Sequence, residues 1–183
     1  MSKKISLAGD LGSGKTTVGG ILIERFKLKK VSIGEFLREM AAERGMNVLE
    51  FNTYMESHPE FDKILDDKLK AHEDLEGDFL FDSRLAWNFV PSSFKVYMKV
   101  DPMIAAQRIL AANRSTEAYE SVEDATEKIK DRRKSERKRY KTLYGVDIQD
   151  MSNYDLVVDT SGLTPEQVAE IISAGFENWL NKR

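Results

Sequence analysis

The sequence predicts an α/β protein: a five-stranded parallel sheet with helices on both faces. Three observations predict it. Short apolar runs of strand length alternate along the chain with longer segments of helical periodicity. The first of these runs ends in a glycine-rich turn that opens straight into a helical segment. Two later helical segments begin on Asp-Pro and Thr-Pro, pairs that supply an N-cap and a first-turn proline.

Taken in order, Lys3–Ala8 is an apolar run that reads as the first strand, and Val18, Ile21, Leu22 and Phe26 give Lys15–Phe26 a helical stripe. Lys30–Ile33 is a second short strand, and Glu35–Arg44 a second helix with Gly45 as its stop. Phe51, Tyr54, Met55, Phe61, Ile64, Leu65 and Leu69 make residues 47–76 helical, with a break at Ser57-His58-Pro59. Asp78–Asp82 is a strand ending in a carboxylate, and Ser93–Val100 alternates as a strand does. Asp101-Pro102 opens a helix reaching about Asn113, and a long charged helix covers Val122 to Tyr144. Tyr154–Asp159 is the last strand. Thr164-Pro165-Glu166-Gln167 carries the capping-box pattern of the last helix, whose Phe176, Trp179 and Leu180 are core residues.

The 183 residues suit one domain, and 41% hydrophobic with 32% charged content is ordinary for a globular chain. No apolar stretch reaches the roughly 18–20 residues that cross a bilayer. Only about five residues precede the glycine turn, too few for a signal peptide's apolar region. With no cysteine, disulfide frameworks and thiolate metal sites are excluded, and a cytoplasmic location is expected. Two histidines, His58 and His72, leave little material for imidazole chemistry and are expected at helix surfaces or caps. A formal charge of −3 argues against a stable nucleic-acid partner.

Gly9-Asp10-Leu11-Gly12-Ser13-Gly14-Lys15-Thr16 matches the phosphate-binding pattern G-x-x-x-x-G-K-[ST]. Its glycines let successive N–H groups turn toward a phosphate, and the following helix adds the positive end of its dipole. Gly9, Gly12, Ser13, Gly14, Lys15, Thr16 and Thr17 are therefore the candidate ATP-binding residues, with Lys15 reaching the β- and γ-phosphates. Thr16 and Asp82, at the end of its strand, are the candidate magnesium ligands. The expected architecture is thus a P-loop NTPase.

Three segments address a second substrate. Gly34-Glu35-Phe36-Leu37-Arg38 puts Arg38 early in the second helix, and Asp82-Ser83-Arg84-Leu85 puts Arg84 just past a strand end. Residues 128–141 hold nine Lys or Arg against Asp131 and Glu136, and Arg132, Glu136 and Arg139 share one helical face. Arg133, Lys134, Lys138 and Lys141 read as plain surface.

GDLGSGKTT, VSIGEFLREMAAERGM, FDSRLAW, KIKDRRKSERKRYKTLYGVDI and YDLVVDTS together resemble the nucleoside monophosphate kinases, most closely the short cytidylate kinases, over nearly the whole chain. The resemblance implies a single P-loop kinase domain over 1–183, with an acceptor-binding helical insert at about 34–76 and a lid at about 114–145. It implies transfer of the γ-phosphoryl group of Mg-ATP to a nucleoside monophosphate, CMP or dCMP first. Lys15, Arg84, Arg132 and Arg139 would be catalytic. Arg38, Arg84, Arg132, Glu136 and Arg139 would hold the acceptor, and Arg108 would lie beside the adenine of ATP. Two positions depart from the larger bacterial cytidylate kinases: Leu85 stands in place of an aspartate and Ile33 in place of a serine, both near the acceptor nucleoside.

Two other readings are open at this point. One is a P-loop kinase for a non-nucleotide acceptor such as shikimate, although Ser32-Ile33-Gly34-Glu35 lacks the D-x-D pair of such families. The other is a non-catalytic ATP-binding module whose basic helix holds RNA or a protein.

Overall fold

The computed structural model describes residues 2–112 and 119–183. Its sheet has five strands: β1 (Lys4–Gly9), β2 (Lys29–Ser32), β3 (Phe79–Asp82), β4 (Phe94–Lys99) and β5 (Leu156–Asp159). All pairings are parallel, as the alternation of strands and helices demands, and the strands lie in the order β2-β3-β1-β4-β5.

The strand β1 lies at the centre and is buried along its whole length. Its period of two splits the core. Ile5 and Leu7 face Val18 and Leu22 of α1 (Lys15–Phe26) and Val168, Ile172 and Phe176 of α8 (Pro165–Leu180). Ala8 joins Trp87, Tyr97 and Tyr154 on the other side, where α5 (Ala86–Phe89) covers the sheet. Trp87 anchors this short helix by donating its ring N–H to the Arg84 carbonyl at 2.9 Å. Nothing in the four residues of α5 displays a helical period, so the sequence did not reveal it.

Between β2 and β3 run α2 (Ile33–Ala42), α3 (Val48–Met55) and α4 (Glu60–Lys70). The second strand ends one residue earlier than expected because the Ser32 hydroxyl accepts from the Glu35 N–H and caps α2, so Ile33 is already helical. A capping box of Asn47 and Glu50 starts α3. The break falls at Ser57-His58-Pro59 as expected, and His58 stacks on Tyr54 with ring centroids 3.7 Å apart. His72 sits just past α4 with its Nδ1 2.7 Å from the Lys68 carbonyl.

After β4, α6 (Pro102–Ala111) is capped by Asp101, whose carboxylate accepts from Met103 and Ile104 N–H. The expected helix end at Asn113 and the start of the expected lid segment lie outside the described residues. The long helix α7 runs from Val122 to Tyr144, the predicted bounds, from a Ser121 cap to Gly145 at φ 71°. It packs on α6 through Ala105, Ala106, Ile109, Ala125 and Ile129. The fifth strand starts later than expected: Met151–Asn153 form a 3-10 turn, and the Tyr154 hydroxyl donates to the Ile148 carbonyl at 3.0 Å.

Register brings the site together. Leu7 and Ser32 both pair with Asp82, so β1, β2 and β3 deliver the loop after Gly9, the start of α2 and Asp82 to one end of the sheet.

Candidate active site

The phosphate loop has the geometry its glycines predict. Gly9, Gly12 and Gly14 all have positive φ, at 150°, 78° and 88°. Two of them are also points of close approach. A Cβ on Gly9 would stand 2.3 Å from the Met98 carbonyl of β4, and one on Gly12 would stand 2.9 Å from Ala105 in α6. Gly14 caps α1 and has no side chain to occupy the first-turn N–H groups, which leaves them open to an anion. The buried Ser13 hydroxyl has no hydrogen-bond partner among the described residues.

The Lys15 ammonium turns back onto its own loop and donates to the Gly9 and Asp10 carbonyls, 3.0 Å from each. Burial and the nearby Arg84 guanidinium push its pKa down to about 8, against the pull of Asp82, Asp10 and Glu136. Arg84 donates to the same Gly9 carbonyl at 2.5 Å. Two cations thus converge on one carbonyl beside an open helix N-terminus. The two positive charges repel each other there, which favours an anion beside them.

Glu136 of α7 currently supplies the negative charge. One of its carboxylate oxygens pairs with Arg84 Nε, and the other accepts from Arg132 Nε at 3.1 Å. Burial would raise the pKa of this carboxyl, but Arg84 and Arg132 hold it below the usual range. A carboxylate that bridges two guanidinium groups occupies the kind of position a phosphate oxygen pair would take.

A cavity of about 470 Å³ joins these groups. One end is lined by Arg108, Ile109, Thr160, Leu163 and Pro165. There Arg108 is tethered to the loop after β5, donating to the Thr160 carbonyl at 2.7 Å. The middle carries Lys15, Thr16, Thr17, Asp82, Arg84, Arg132 and Glu136. The other end is walled by α2, α3 and α4, with Arg38, Asn52, Asp62 and Asp66 among apolar side chains. Arg38 is exposed at the wall, and no hydrogen bond or ion pair engages it among the described residues.

Thr16 and Asp82 therefore share a wall with Lys15, a hydroxyl and a carboxylate that suit a hard cation held by one or two protein oxygens. Among the described residues no group of three or more His, Cys, Asp or Glu forms a larger metal cage.

Most sequence-predicted site residues meet in this cavity, but Arg139 is set back from it. Although it shares a helical face with Arg132 and Glu136, its guanidinium turns to the α3–α4 pair. Nη1 donates to the Asn52 carbonyl at 3.1 Å and Nε lies 3.5 Å from the Asp62 carboxylate. Its length lets it lean away from the phosphate region into a charge partner that sequence reading had not identified.

That partner belongs to a cluster the sequence hid. Asn52 and Asp62 are 6% and 4% exposed, and Asn52 Oδ1 and Asp62 Oδ2 have no hydrogen-bond partner among the described residues. Each such buried orphan costs about 1–3 kcal/mol unless a ligand satisfies it. Burial pushes the Asp62 carboxyl up to about 6, partly countered by Arg139. Asp66, one turn further, accepts from the Tyr144 hydroxyl at 2.6 Å. A second correction concerns Arg133, read as plain surface: it pairs with the buried Asp10 carboxylate. Lys134, Lys138 and Lys141 are indeed exposed.

Comparison with known proteins places this geometry. The fold is similar to shikimate kinase from Bacteroides thetaiotaomicron, with a TM-score of 0.67 at 15% identity over 96% of this chain and 98% of that one. In sequence the chain is 38% identical to the cytidylate kinase of Pyrococcus horikoshii, over 95% of this chain and 88% of that protein. It is 36% identical to an S-adenosylmethionine-dependent nucleotide dehydratase of Lacinutrix mariniflava over 97% of its own length, but spans 36% of that longer protein. The model of the cytidylate kinase-like family matches residues 4–162, and the chain belongs to that family.

Proposed function

We propose that this chain moves the γ-phosphoryl group of ATP onto the phosphate of a nucleoside monophosphate, with CMP or dCMP as the preferred acceptor. Family membership already supports a nucleotide kinase. One observation carries the reading of a phosphate-bearing acceptor. A single cavity joins the phosphate loop to Arg38, Arg84 and Arg132, and Glu136 already holds two of those arginines as a phosphate would.

The chemistry follows from charge. A phosphate monoester has a second pKa of about 6 and is mostly dianionic at neutral pH, so the nucleophile needs no base. The barrier lies in bringing two polyanions into contact. Lys15 and the N–H groups at the start of α1 receive the donor phosphates, and Arg108 sits at the end of the cavity that would take the adenine. Arg38 and Arg84 take the acceptor phosphate, and Arg132 meets the charge that spreads over the transferring group. Planar guanidinium forks suit this because each can bind two phosphate oxygens at once. Thr16 and Asp82 would hold magnesium, which supplies further neutralisation of the donor phosphates.

Substrate binding exchanges partners: Lys15 and Arg84 leave the Gly9 carbonyl for phosphate oxygens, and Glu136 yields part of its hold on Arg84 and Arg132. The α7 helix carrying Arg132 and Glu136 acts as the lid side of the site and keeps water from the reaction. The test is a coupled ADP-release assay across CMP, dCMP, UMP, AMP, GMP and shikimate. Fastest turnover with CMP or dCMP is expected. Turnover confined to shikimate, or to no acceptor, overturns the reading.

A further inference from the structure

We propose that Asn52 and Asp62 read the acceptor's base by jointly accepting hydrogen bonds from an exocyclic amine, so that the site takes cytosine and refuses uracil. This rests on the nucleoside monophosphate kinase reading above.

The two acceptors are fixed by their surroundings. The Asn52 amide group donates to the Val48 carbonyl at 2.8 Å inside α3, which leaves Oδ1 as the free end of the side chain. Asp62 has one carboxylate oxygen beside Arg139 Nε, at 3.5 Å, and the other without a partner. Asn52 and Asp62 both line the acceptor end of the cavity. Around them Ile33, Leu37, Val48, Leu65 and Leu69 form apolar walls that suit a flat ring, and Arg38 lies at the same end for the phosphate.

Two unpartnered acceptors on residues that share Arg139 and line one cavity call for a group with two N–H bonds. The amine at position 4 of cytosine has them. Uracil presents a carbonyl oxygen there, which would face two oxygens and be repelled. Arg139 is a positioning residue: buried beside Asp62 and tied to the Asn52 carbonyl, it keeps the carboxylate charged. The polar work is needed here because the two positions expected near the nucleoside are apolar. Ile33 is helical wall, and Leu85 is 5% exposed, packed against Tyr140 and Ile148.

The experiment compares kcat/KM for CMP and UMP in the wild type, Asp62→Asn and Asn52→Leu, with thermal melts alongside. The wild type should favour CMP by about tenfold or more, since a buried acceptor left facing a carbonyl is strongly penalised. Asp62→Asn can offer an N–H to the uracil oxygen, so the CMP-to-UMP ratio should fall about tenfold. Asn52→Leu should also lower that ratio, which keeps the test alive if Asp62→Asn does not fold. Equal use of both substrates by the wild type overturns the base reader while leaving the kinase reading intact. Variants that slow both substrates equally do the same, because they mark a purely structural role. Failure to phosphorylate any nucleoside monophosphate overturns both.

Discussion

The Arg133 guanidinium of α7 lies 3.0 Å from the carboxylate of Asp10, the residue that follows the first glycine of the phosphate loop. That carboxylate is 6% exposed and also accepts from the Tyr97 hydroxyl at 2.7 Å and the Val100 N–H at 3.1 Å. The lid-side helix is therefore keyed into the base of the loop. Replacing Arg133 with Ala leaves a buried carboxylate with its hydrogen bonds and the more distant Lys15 and Arg84 charges, but without its paired cation. Because Arg133 is partly exposed, the expected loss is about 1–2 kcal/mol, below that of a fully buried pair. The melting temperature should fall and the ATP KM should rise several-fold, with Arg133→Lys intermediate.

Lys15 trades stability for function. In the unfolded chain its ammonium keeps a proton up to about 10.5, and in the fold only up to about 8. Below pH 8 both states are charged and the fold carries the whole cost of confining that charge. Between the two values the unfolded chain binds more protons, so stability rises with pH. Lys15→Met removes the cost. At pH 7 it should stabilise the ligand-free protein by about 1–3 kcal/mol after allowing for partial exposure, while abolishing turnover. An unchanged melting temperature would contradict the strain assigned to this site.

Arg38 and Arg84 should separate acceptor from donor. Arg38→Ala removes an exposed side chain, so stability should move by no more than about 0.5 kcal/mol while the acceptor KM rises roughly tenfold or more. Arg84→Ala should have a similar kinetic effect and also destabilise the fold, because Glu136 is then left buried with Arg132. ATP affinity should change far less in both variants. Titrations of each ligand check the difference.

Acid should blunt base discrimination. The Asp62 carboxyl titrates at about 6 among Arg139 from α7, Asp66 from its own helix and Tyr144 beyond Asp66. Protonation turns one acceptor into a donor, so the CMP-to-UMP ratio of kcat/KM should fall as pH drops from about 7 toward 5. The phosphates of both substrates titrate alike near pH 6, so their ionisation cancels in the ratio. A flat ratio would mean that Asp62 does not touch the base.

The phosphate loop and the alternation of strands and helices were legible because each depends on local chemistry: glycines at fixed spacing, apolar runs and caps. The order of the strands in the sheet was not, because it rests on long-range pairing. The long helix from Val122 to Tyr144 was equally plain, marked by Ser121 and Gly145 at its ends. The base end was not. Asp62 and Asp66 stand one turn apart on a helix whose polar face normally meets water, and only tertiary packing shows that it meets the cavity. Arg133 was lost among nine basic residues, because a charge run does not reveal which member turns inward. The reach of Arg139 toward Asp62 depends on how α7 lies across α3 and α4, which helical spacing alone does not fix.

The contact between Gly12 and Ala105 constrains evolution from both sides. Ala105 is fully buried where α6 presses against the loop. Enlarging it to Val would drive a methyl group into the same narrow gap and shift the N–H groups meant for phosphate. A residue that never meets a nucleotide thereby limits which neighbours the nucleotide's cradle can tolerate, and alanine there is as much a part of the anion receptor as the glycine it shelters.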